Sequence, residues 1–174
     1  MSDSWQRKTD YGGLAKMRAV GFAIGSKGYI GTGGWGTTEY KEWWEYDPAT
    51  DSWTQKADFP GNHRYSAAGF AIGAYGYLGT GKNTSFFYDF YRYDPSTNTW
   101  LARQNFQGYL RYGAVAFAIG SKGYLGTGWK SSRTVDFWEY DPATNAWTQK
   151  ANFGGAARLF ATGFGLNGKG YLGT

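Results

Sequence analysis

The sequence predicts an all-β chain of repeated four-stranded blades, a β-propeller, and three observations carry that prediction. Tyr46-Asp47-Pro48, Tyr93-Asp94-Pro95 and Tyr140-Asp141-Pro142 stand 47 residues apart. A tryptophan follows each Tyr by seven residues, at Trp53, Trp100 and Trp147, and Trp5 lies one further period upstream. A second signature keeps the period: Tyr29-Ile30-Gly31-Thr32-Gly33, Tyr77-Leu78-Gly79-Thr80-Gly81, Tyr124-Leu125-Gly126-Thr127-Gly128 and Tyr171-Leu172-Gly173-Thr174. Self-similarity at about 40–50 residues marks stacked or ring-shaped repeat architectures.

The third copy shows how one repeat divides. Ala114-Val115-Ala116-Phe117-Ala118-Ile119 alternates large and small side chains, the period of a strand. Its large face repeats as Phe22, Phe70, Phe117 and Phe164, and its small face suits a crowded centre where sheets converge. Gly120-Ser121-Lys122-Gly123 reads as a tight connection. Tyr124 to Gly128 forms the second strand and Asp136 to Tyr140 the third. Asp141-Pro142-Ala143-Thr144-Asn145 is a turn, with Asp capping and Pro fixing φ. Ala146 to Lys150 is the fourth strand. We letter these strands a to d.

Composition agrees. Aromatic residues make up 21% of the 174, with 28 glycines and 4 prolines, a β- and turn-rich balance. The length suits one domain. Its repeats cover about 16–63, 64–110, 111–157 and a partial 158–174, with an outer strand at 4–9. That gives one d strand, three full sets and a final a–b pair, one strand short of four blades. No apolar run reaches the length of a membrane span. Met1-Ser2-Asp3-Ser4-Trp5 has neither part of a secretory signal, and the cellular compartment cannot be read. With no cysteine, disulfides and Cys-zinc sites are excluded. The net charge of +5 comes from scattered single cations, which argues against nucleic acid.

The Tyr-Asp-Pro turn, the Trp seven residues after its Tyr and the aromatic-glycine second strand resemble the kelch family over nearly the whole chain. Kelch repeats usually end the second strand in Gly-Gly, whereas each complete copy here reads Thr-Gly. The resemblance implies strand a at the central axis and strand d at the rim. Kelch propellers commonly have more than four blades, so the chain is expected to be a fragment or an engineered piece. Its exposed strand edges favour self-association as a homodimer.

Antiparallel strands put the a–b and c–d turns on one face and the b–c and d–a loops on the other. The first face repeats nearly unchanged, and the second differs in every copy. Loops on a rigid scaffold usually carry binding, so the second face is the candidate. Trp35, Phe86 and Trp129 in b–c loops and Tyr109 in a d–a loop offer contact for a sugar or peptide. Covering neighbouring loops is the competing role for these rings. Lys16, Arg64, Arg111 and Arg158 each precede the a-strand Phe by six residues, and are expected to ring the axial opening. Such a ring would hold a carboxylate or sulfate. Inter-blade hydrogen bonding is the competing role, and the recurrence favours it.

The catalytic inventory is poor. His63 is the only histidine, so no Ser-His-Asp set or metal-ligand cluster can be assembled around it. Glu42, Asp89 and Asp136 align in strand c, and Glu39 is the main acid off the pattern. Kelch-like copper oxidases need a cysteine that this chain lacks. Sialic-acid mutarotases remain the alternative, with the chain as a fragment binding anionic sugars. The primary expectation is a non-catalytic binding and scaffold module without cofactor or metal, whose partners are a second copy and a protein, peptide or glycan, with no nucleic acid or membrane.

Overall fold

The computed structural model describes residues 3–174 and contains strands but no helix. The first blade holds β1 (Val20–Ile24), β2 (Lys27–Gly31), β5 (Trp43–Asp47) and β6 (Ser52–Lys56). A small hairpin, β3 (Gly34–Trp35) with β4 (Thr38–Glu39), sits in its b–c loop. The second blade holds β7 (Ala68–Ile72), β8 (Tyr75–Gly79), β9 (Phe90–Asp94) and β10 (Thr99–Ala102). The third holds β11 (Val115–Ile119), β12 (Lys122–Gly126), β13 (Phe137–Asp141) and β14 (Ala146–Lys150). The fourth stops at β15 (Thr162–Leu166) and β16 (Lys169–Gly173). All ladders are antiparallel. The first strands β1, β7, β11 and β15 pack side by side in order, which places them around the axis. This is a β-propeller with three complete blades and an incomplete fourth.

Glycine makes the stacking possible. A Cβ on Gly123 would sit 2.1 Å from the Phe70 ring, and one on Gly76 would sit 2.4 Å from Phe22. Phe22, Phe70 and, against Gly170, Phe117 therefore each drive into a gap that only glycine leaves on the next blade's second strand. The a–b turns are tighter than the sequence suggested, because Ile119 pairs directly with Lys122 and leaves only Gly120 and Ser121 between. Gly120 has φ 57, the positive value wanted at the first centre of a two-residue hairpin.

A clasp recurs at the rim. Asn98 has φ 54, and its Oδ1 accepts from the Tyr93 hydroxyl at 2.9 Å and from the Ala57 N–H of the preceding blade at 2.9 Å. Trp100 completes the clasp by donating Nε1–H to the Ala57 carbonyl at 2.9 Å. Asn145 and Trp147 grip Gln104 in the same way at 2.9 and 3.0 Å. Asp51 and Trp53 grip Thr9 at 3.1 and 3.2 Å. The Tyr-Asp-Pro turn thus aims one Asn or Asp and one Trp at the neighbouring blade.

The expected outer strand at 4–9 is not formed. A strand needs a ladder partner, and the c strand that would pair with it is absent among the described residues. Trp5 is consequently fully exposed, unlike Trp147, which is 5% exposed. The Trp ladder is architectural at three of its four rungs.

Candidate functional site

On the loop face the blades are stitched by backbone. Ser66 N–H donates to the Arg18 carbonyl at 2.9 Å, Gly113 to Ser66 at 3.0 Å and Phe160 to Gly113 at 2.8 Å. Arg18, Ser66, Gly113 and Phe160 all have φ between 52 and 62, so the chain turns sharply at each stitch. The side chains at these equivalent positions differ completely, while the backbone at each does the same thing.

Arg64 and Arg111 do not present their charges to this face, because both are fully buried. Arg64 makes a two-pronged pair with Asp89 at 2.5 and 2.6 Å and donates to the Thr80 carbonyl at 2.8 Å. Arg111 does the same with Asp136 at 3.0 and 2.6 Å and with Thr127 at 2.8 Å, and it reaches the Gly108 carbonyl. Each guanidinium also lies on phenylalanine: Arg64 on Phe59 and Phe87, Arg111 on Phe106. Lys16 is consumed by Glu42 at 2.5 Å. Arg158 rests on Phe153 and donates to the Ala156 and Thr174 carbonyls. The expected cationic ring is therefore, at Lys16, Arg64 and Arg111, a set of internal pins, while Arg158 is partly exposed and has no ion pair among the described residues. The signal was in the sequence, since Glu42, Asp89 and Asp136 recur in register with Lys16, Arg64 and Arg111. Even the exchange of Arg–Asp for Lys–Glu in the first blade is readable as a pair.

This pairing has a pH consequence. Burial pushes the Asp136 carboxyl up, but hydrogen bonds and charge from Arg111 outweigh it and hold the group below its ordinary range. A depressed folded value contributes stability above the unfolded value of about 3.9, and that contribution disappears as pH falls through the folded one. The melting temperature is expected to drop increasingly below about pH 4. Thermal melts at stepped pH check this, and Asp136→Asn should flatten part of the drop.

The aromatic candidates separate. Trp35 projects from the β3–β4 hairpin, 59% exposed. Phe86 and Tyr109 come together in a shallow cleft of about 370 Å³ with Leu110 and Lys130. Trp129 is partly buried, its backbone bridged to Tyr112 and Arg133. His63 is exposed and stands apart from any acid–base set. Among the described residues no three His, Cys, Asp or Glu side chains form a metal-binding group.

Sequence reasoning missed two unpaired cations of this face that share one ring; Lys130 and Arg133 are likewise without an ion pair among the described residues, Lys130 lying over Tyr109. Arg18 and Lys82 make no ion pair or side-chain hydrogen bond among the described residues. The Arg18 guanidinium lies 5.3 Å from the centre of the Tyr65 ring and 5.7 Å from that of Phe160. The Lys82 ammonium lies 5.7, 5.3 and 5.0 Å from the rings of Tyr65, Phe86 and Tyr112. Two like charges therefore lie against one ring, Tyr65, and neither is ion-paired among the described residues. Beside them opens a cleft of about 150 Å³ lined by Met17, Arg18, Gly34, Thr38, Glu39 and Tyr65. Away from this face, Lys27, Lys56, Lys122 and Lys150 are each matched to a carboxylate. A comparison of repeats would have flagged both residues: position 18 aligns with Ser66 and Gly113, and position 82 with Gly34 and Trp129.

Comparison with known proteins bears on the fold. No protein-family model and no curated protein matches the chain. A solved structure, "Structure of YjhT", is similar with a TM-score of 0.78 at 18% identity. The match covers 92% of this chain and 59% of that one, so this chain spans less than two thirds of that protein.

Proposed function

We propose that this chain is a kelch-type propeller module that binds an anionic ligand on its loop face and catalyses no reaction. The observation that carries the reading is the pair of unmatched cations, Arg18 and Lys82, over the shared Tyr65 ring. Cations without counterions beside a cleft favour a ligand that brings negative charge. Aromatic surroundings lower local hydration and strengthen that attraction. A carboxylate or sulfate on a sugar fits both features, with Trp35 and Tyr109 offering apolar contact at the margins. Arg64 and Arg111 support the scaffold rather than the ligand.

The test is titration calorimetry with a sulfated disaccharide, a uronic acid and neutral lactose. Binding is expected for the two anions only. The double variant Arg18→Asn, Lys82→Met should weaken it by at least about tenfold while melting like the parent. Asparagine tolerates the left-handed backbone at position 18, and methionine keeps the aromatic cluster filled. Equal affinity in the double variant would move the site elsewhere.

Self-association is the second part of the reading, supported by the unpaired edge of β16. The rival reading is a piece of a carbohydrate-processing, mutarotase-like propeller. Its support is that the chain spans 59% of YjhT, leaving room for further blades. Anomer exchange of an anionic sugar, followed by proton NMR, separates the two. No acceleration is expected, and saturable acceleration would establish the enzyme reading.

A further inference from the structure

The clasp described above needs two parts. One is a donor pair, an Asn or Asp followed two residues later by Trp. The other is a receiving segment with a free N–H and carbonyl flanked by two aromatic rings. Ala57 and Gln104 receive in this way, and Trp147 stands between Phe90 and Phe106, with ring centres 5.0 and 4.9 Å away. Both parts also occur unused. Asp3 and Trp5 hold the register of Asp51 and Trp53, Asn98 and Trp100, and Asn145 and Trp147. They form no hydrogen bond to any described residue, and Trp5 is fully exposed. At the other end, Ala151 holds the register of Ala57 and Gln104. It is exposed, and neither its N–H nor its carbonyl is paired among the described residues. Phe137 and Phe153, in the register of Phe90 and Phe106, line an apolar groove of about 470 Å³ with Phe117, Tyr124 and Tyr171.

We propose that Asp3 and Trp5 of one copy clasp Ala151 of a second copy, with the Trp5 indole seated between Phe137 and Phe153. The Asp3 carboxylate accepts the Ala151 N–H, and the Trp5 indole N–H donates to the Ala151 carbonyl. Asp serves as well as Asn, because Asp51 already grips Thr9. The contact needs no c strand, since every clasp joins a rim segment to the blade before it. The occupant is a second copy rather than the chain's own N-terminus, because β1 and β15 do not touch even though Arg18 reaches the Phe160 ring on the loop face, which leaves the ring of sheets unclosed. Two copies exchanging clasps make two equivalent contacts and close a two-fold ring, the commonest oligomer symmetry. The interface is small, so it forms in the micromolar range rather than permanently.

This inference rests on the self-association reading and names its contact. Sedimentation velocity of the full chain from micromolar to submillimolar concentration tests it. Mass should rise from 19.3 kDa towards twice that value. Trp5→Ala should weaken association at least about tenfold, and Asp3→Ala should weaken it clearly, with Asp3→Asn behaving as the parent. Trp5 contributes nothing to the folded monomer, so these variants fold. A dimer indifferent to Trp5→Ala overturns the clasp and leaves self-association standing. A monomer at every concentration overturns both.

Discussion

Replacing Arg111 by methionine is expected to cost about 3–5 kcal/mol of unfolding free energy. The guanidinium is fully buried, and its two prongs meet both oxygens of Asp136 at 3.0 and 2.6 Å. Methionine fills much of the volume but donates nothing. Asp136 would keep the Trp138 indole at 2.9 Å as its remaining strong donor, and the Thr127 carbonyl would lose its side-chain partner. An uncompensated buried carboxylate is far costlier than the intact pair is stabilising. Thr127 adds to the penalty, because it sits at φ 56, where a β-branched residue is strained and held by its surroundings. Arg111→Lys with Asp136→Glu should recover most of the loss, since the first blade already runs on Lys16 and Glu42 at 2.5 Å. Urea unfolding followed by tryptophan fluorescence measures all three proteins. A loss below about 1 kcal/mol for Arg111→Met would mean that the pin is not structural and would return Arg111 to the candidate ligand set.

Much of this architecture was legible in the sequence, for a physical reason. A strand advertises itself by alternation, and a tight turn by the residues that tolerate its φ. Both signals are local, and the repeat presents them three times over. Phe70 with Gly123 shows what alternation cannot reveal. The glycine looks like part of a flexible turn, yet it is required because the ring of the preceding blade occupies its side-chain space. The arginine register was legible, but the role of Arg64 and Arg111 was not. Spacing tells that charges recur, whereas burial tells whether they face solvent or each other. Arg18 and Lys82 were hidden for the opposite reason. Their positions keep the period but their side chains do not repeat, and only folding carries them to one ring, Tyr65, from separate blades. A functional candidate in a repeat protein is thus found where the side chain breaks register while the backbone keeps it.

The same repeat sets up the second large effect, a contrast between two tryptophans that the sequence presents as equivalent. Trp100→Ala is expected to cost about 3–5 kcal/mol, in line with other large aromatic truncations. Its ring lies 5.4 Å from Trp43, 5.3 Å from Phe59 and 4.8 Å from Tyr93, and its indole N–H holds the Ala57 carbonyl of the first blade. Removing it opens a cavity in the seam between two blades and breaks one arm of their clasp, so no neighbouring side chain can collapse into the space without leaving its own partners. Trp5→Ala removes the same residue type at the same register but should change monomer stability by no more than about 0.5 kcal/mol, as for an ordinary surface site. Trp5 touches no aromatic neighbour within the described chain and is fully exposed. The comparison belongs at low concentration, where self-association does not contribute. Equal large losses for both variants would require Trp5 to be buried in the isolated chain, which means a closed ring in which the N-terminal segment completes the last blade of its own molecule. Equal small losses would instead show that the seam between blades does not depend on its tryptophans.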